Sequence, residues 1–157
     1  MNIYVKKYEE ADSVYNRAAN HYLNQNIEKK EIVDDEMLAK IYHNKGNANM
    51  KQTMPIDSVL MFKEMMESAQ EGEQPAELKE AYPTLAKSWG KAQQSIEDYK
   101  NSLRRAPSND STRFNLALAQ DYEKNIREIL QNMPPPQNQQ NQQNQQNQQD
   151  KKDQQDQ

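Results

Sequence analysis

The 157-residue sequence contains no cysteine, three glycines, two phenylalanines and two histidines. Without cysteine there is neither a disulfide nor a thiolate metal site, and the redox compartment leaves no mark on the chain. Gly46, Gly72 and Gly90 stand too far apart to form a phosphate-cradling loop. No uninterrupted apolar run is longer than the one at 59–62, far short of the roughly 20 residues a membrane span needs. The opening Met1-Asn2-Ile3-Tyr4-Val5-Lys6-Lys7 lacks the hydrophobic core of a signal peptide, so the chain as written reads as unexported and soluble. An excess of positive charge is missing too. The net charge of −4 and the pI near 5.3 argue against the basic surface that nucleic acid requires.

Catalytic constellations are equally scarce. His21 is flanked at three residues by Ala18 and Asn24, and His43 by Lys40 and Gly46, so neither has a second ligand at helical spacing. Asp34-Asp35-Glu36 reads as a solvated helix start, because exposed carboxylates have nothing to shift their pKa. No serine stands in a nucleophile motif. The expectation is a protein that is not an enzyme and holds neither metal nor cofactor.

What the chain does contain is helical periodicity. In residues 91–107, Ala92, Ser95, Ile96, Tyr99, Ser102 and Leu103 share one face, while Glu97 and Asp98 fall on the opposite one. Ser95 and Ser102 are small enough to let another helix approach closely, and Pro107 with Ser108-Asn109-Asp110 ends the helix. Trp89-Gly90-Lys91 reads as the turn of a helical hairpin, which would make residues 76–89 the partner helix.

The offsets from Ser95 to Tyr99 and Pro107 are those of the second half of a tetratricopeptide repeat, and the chain resembles that family here. The small-then-aromatic pair recurs at Ala11 and Tyr15 and at Ser58 and Phe62, with Ala18 in the place of Ser102. Gly46 suits a packed first helix. The excess over the repeat period falls in polar connectors, around 24–36 and 70–75. Pro83 where the family has glycine, and Lys45 where it has leucine, depart from the pattern. After Pro107, Asp110 or Ser111 can cap a last helix carrying Phe114, Leu116, Ala117, Leu118, Tyr122, Ile126, Ile129 and Leu130. The predicted fold is an all-α tetratricopeptide-type solenoid over residues 1–131. It has about three helix pairs, the first incomplete because the chain begins inside a repeat, and then a capping helix. Residues 132–157, with three prolines and an Asn-Gln-Gln run, are predicted to be a disordered tail acting as a tether.

Tyr42-His43-Asn44-Lys45-Gly46-Asn47, the stretch from Ser95 to Arg104, Pro107-Ser108-Asn109-Asp110, the stretch from Arg113 to Ala119 and the Gln/Asn-rich tail together resemble the BatC-type tetratricopeptide proteins of bacterial Bat (aerotolerance) operons. The resemblance implies a protein-interaction scaffold working with other Bat proteins, outside the cytoplasmic membrane or associated with it.

First helices line the concave side of such arrays, which makes their exposed residues the contact set. On the hairpin around Gly46 these are Lys40, His43, Asn44, Asn47, Met50 and Lys51, with Lys87 and Arg113 as extensions. Ammonium and amide donors in that strip suit an acidic or carboxylate-terminated peptide or protein partner. The alternative is a structural protein that self-assembles, as a homodimer for instance, through its incomplete N-terminal repeat.

Overall fold

The computed structural model describes residues 3–29, 35–70 and 73–133. Of the tail expected over 132–157, Asn132 and Met133 are described, and Met133 is buried in the core instead of belonging to a tail; the rest, the middle of the polar connector and Gly72 lie outside the described residues. The described residues form helices α1 (Ile3–Lys29), α2 (Asp35–Met50), α3 (Ile56–Ser68), α4 (Ala76–Arg105) and α5 (Asp110–Gln131), with no strand among them. The expected all-α class holds.

The helix pairing differs from the expected hairpins. Trp89-Gly90-Lys91 is not a turn, because α4 runs through it without interruption for 30 residues. Pro83 neither begins nor ends that helix. The proline deprives the carbonyl one turn earlier of its N–H donor, but it sits on the exposed side, where water can reach the freed group. The buried residues of α4 explain its continuity. Leu78, Leu85, Ser88, Ala92, Ser95, Tyr99 and Ser102 are spaced alternately by three, four and seven residues. One heptad phase therefore crosses Gly90 unbroken, and a turn would have shifted it.

α4 is the spine. α2 packs antiparallel on its C-terminal half: Ser102 Oγ donates to Ala39 O at 2.7 Å and Ser95 Oγ donates to Gly46 O at 2.8 Å. The partner of the Ser95 face is thus α2, not residues 76–89. The serines at heptad spacing do two things there. Their small volume lets the helices close, and each hydroxyl spends its buried proton on a carbonyl of the facing helix.

α3 follows α2 along the remaining half of α4. At the break between them, Met54 N donates to Ser88 Oγ at 2.9 Å and Met54 O accepts from Tyr122 Oη at 2.6 Å. Both polar groups of that irregular backbone are satisfied by neighbouring helices, which fixes the bend. α5 returns antiparallel along α4, its first turn capped by Asn109, whose side chain accepts from Thr112 N at 3.1 Å. The cap is neither of the expected candidates, Asp110 or Ser111, but the residue before them. The segmented α2–α3 run, α4 and α5 therefore make a three-membered bundle, and α1 buttresses α2 from outside.

The bundle has two unlike ends. Around α3 the core is apolar: Val59, Leu78, Leu85, Ile126, Ile129 and Met133 are buried, with Phe62, Met65 and Trp89 packed on them. Around α2, apart from the fully buried Leu38, it is mostly small and polar: Ala39, Gly46, Ser95, Ser102, Asn49 and Asp98 are buried with the ring of Tyr99. On α1 the expected Ala18 is exposed, and Ala19 is buried instead.

Candidate functional site

The strip on α2 is built from two rows. Lys40, Asn44 and Lys51 lie on one helical face and are all exposed. Lys40 is tied to its own helix, Nζ lying 3.0 Å from Glu36 Oε1. His43, Asn47 and Met50 form the second row, half-buried and turned toward the neighbouring helices. His43 Nδ1 stands 2.7 Å from Thr112 Oγ1 on α5. Asn47 Oδ1 accepts from Tyr99 Oη at 2.6 Å and from Asn115 Nδ2 at 3.2 Å. Met50 packs against the apolar core. These contacts lay α2 and α5 side by side in parallel, with the second row as the seam between them.

Electrostatics follow from those positions. Burial pushes the His43 imidazole below its ordinary value, so the ring is neutral near pH 7. Lys40 and Lys51 remain the ammonium groups of the strip. Lys87 does not join it: from α4 it donates to Glu9 Oε1 on α1 at 3.1 Å. Arg113 pairs with Asp110 at 3.1 Å.

Beneath the strip lies a polar cluster that sequence reasoning missed. Asp98, placed on the solvent side by periodicity, is buried, with Lys45 Nζ 3.1 Å from Oδ1 and Asn49 Nδ2 donating to Oδ2 at 2.9 Å. Desolvation raises its pKa, opposed by Lys45 and Asn49 and reinforced by the charge of Asp12 on α1. Lys45 faces this carboxylate. The joint oddity of Lys45 and Asp98, each out of pattern for its face, was the available signal.

Apolar exposure was missed too. Phe114 and Leu118 on α5 are 64% and 53% exposed, and Ile56 and Leu60 on α3 are 41% and 46% exposed. A separate cavity of about 520 Å³ lies at the opposite end of the bundle, between Met66, Leu78, Pro75 and Met133. It shares no residue with the α2 strip.

Among the described residues no group of three or more His, Cys, Asp or Glu side chains could hold a metal ion, and no helix is long and apolar enough to cross a membrane. No protein family, curated protein or solved structure matches the chain.

Proposed function

We propose that this chain is a non-enzymatic scaffold of tetratricopeptide type, which binds an acidic segment of a partner protein along α2 and works within a Bat-type assembly. The single observation carrying the binding reading is the exposed row Lys40, Asn44 and Lys51, running the length of α2 beside the α2–α5 seam. Two ammonium groups and an amide along α2 and the turn that follows it supply donors, of which Lys40 is shared with Glu36.

The family reading draws on a different feature. Gly46 and the Ser95, Tyr99 and Ser102 face meet as the glycine and the small-aromatic-small face of one repeat would. They are 49 residues apart in the chain, with α3 and the first half of α4 between them. On this reading the repeat carries an inserted helical excursion rather than a shortened loop.

Each exposed pair would be weak, of order 0.2 to 1 kcal/mol, so several must act together. The test is a nuclear magnetic resonance titration of the full chain with a synthetic peptide alternating Glu and Leu. Shift changes should centre on residues 40, 44 and 51, and raised salt should weaken binding modestly. The triple variant Lys40→Glu, Asn44→Ala, Lys51→Glu should bind at least about tenfold more weakly. Unchanged affinity in a triple variant that keeps its helical circular dichroism would remove α2 as the docking surface.

A further inference from the structure

Ile56 and Leu60 on α3 and Phe114 and Leu118 on α5 are exposed apolar residues on neighbouring helices. Lys63 Nζ lies 3.0 Å from Asn125 Oδ1 and 2.8 Å from Glu128 Oε2, which sets α3 beside α5. Tyr122 reaches Met54, before the start of α3, and Met66 and Met133 share a cavity wall at its end, so the two helices run parallel. Seven residues back from Lys63 is Ile56, and seven back from Asn125 is Leu118. Two turns along parallel neighbours return to the same flanks, so Ile56 and Leu118 lie on facing flanks; the pairing of Met54 with Tyr122 sets Leu118 about one and a half turns before Ile56 along the helices. Leu60 and Phe114 extend the pair by one turn each. Four large apolar side chains exposed along adjoining flanks are an apolar surface of the kind that marks an interface.

The chain's own C-terminal segment is a poor occupant. After Met133 it offers three prolines and then only Gln, Asn, Asp and Lys, with no apolar side chain to fill the patch. A better match lies at the other side of the molecule. The outer flank of α1 carries Val14, 51% exposed, with Ala11 and Ala18 beside it, small residues that would admit knobs such as Phe114 and Leu118. Charge matches as well. Exposed Lys7, Glu10 and Arg17 flank Val14 with a net positive charge, whereas exposed Asp57, Glu64 and Asp121, against Lys63, leave the α3–α5 surface net negative.

We propose that the α3–α5 patch is the docking site for the α1 flank of a second copy of this chain. The two surfaces are different, so the contact is head-to-tail and can extend to further copies. It uses neither Lys40, Asn44 nor Lys51, and stands or falls independently of the function proposed above.

The test is sedimentation of the full chain over a range of concentrations, with helical circular dichroism checked for each variant. The wild type should associate progressively, and high salt should weaken the association. Leu118→Glu and Val14→Glu should each abolish or weaken it at least about tenfold. Mixing the two variants should restore a one-to-one pair and nothing larger, because each keeps one intact surface. A wild type that stays monomeric throughout would overturn the proposal and leave the patch to a different protein. So would association that Val14→Glu leaves intact, or two folded variants that fail to pair when mixed.

Discussion

The ring of Tyr99 lies against the backbone of Gly46 so closely that a Cβ on Gly46 would stand 2.6 Å from Cε1 and 2.7 Å from Cδ1. The ring cannot swing away freely, because it is buried and its hydroxyl is held by Asn47 on the same helix. Gly46→Ala should therefore cost about 1 to 3 kcal/mol, the range for forced overpacking. Tyr99→Ala should cost about 3 to 5 kcal/mol by removing the ring. In the Tyr99→Ala background the added methyl has room, so Gly46→Ala should become nearly neutral. Urea melts of the four proteins would check this, and additive losses would show that the two residues are not in contact.

Gly90 is the opposite case. A Cβ there meets nothing within 4 Å, and the residue lies in the interior of α4. Neither close approach nor a turn requires glycine, so its backbone freedom in the unfolded chain is only a cost. Gly90→Ala should stabilise the protein by about 0.8 to 1 kcal/mol. A loss of stability on thermal melting would mean that α4 does not run continuously through this point.

Much of this architecture was legible in the sequence, and the reasons for the failures are physical. The small face of Ser95 and Ser102 and the close approach at Gly46 follow from side-chain volume and helical period, and both appear in the fold. Which helix meets that face does not follow, because volume is indifferent to whether the partner lies just upstream or 49 residues away. The turn assigned to Trp89-Gly90-Lys91 rested on one glycine, while the heptad phase from Leu78 to Ser102 argued for continuity over seven positions. The α2 strip was legible as a face. That His43 and Asn47 on its edge would be claimed by Thr112, Tyr99 and Asn115 was not, since it depends on where α5 lies.

Asp98 gives a pH dependence whose sign is opposite to that of an ordinary salt bridge. Burial raises its folded pKa above the ordinary value, so the folded state holds the proton more tightly than the unfolded chain. The stabilising contribution is complete below about pH 4 and is lost as pH rises through the raised folded value. Wild type should therefore lose stability relative to Asp98→Asn over that rise and run parallel to it above. Melting temperatures of both proteins through the acid range test this. A wild type that gains on the variant instead would mean that the attraction of Lys45 outweighs desolvation.

His43 works in the other direction and at a higher pH. Its folded pKa is lowered by burial from 6.5, so protonation is easier in the unfolded chain. Its stabilising contribution is present above about pH 6.5 and disappears as pH falls through the folded value. The structural consequence is local. A charged imidazole could keep the 2.7 Å contact with Thr112 only as the donor, with the hydroxyl proton turned elsewhere, and its charge would be left poorly solvated in the seam between α2 and α5, which weakens one of the two cross-links there. Between about pH 7.5 and about pH 5.5, the wild type should lose stability relative to His43→Gln, which keeps an amide at the seam without a titrating ring. Hydrogen exchange should quicken at residues 110–115 over the same interval in the wild type alone. Equal exchange in both proteins would show that the seam does not depend on a neutral His43.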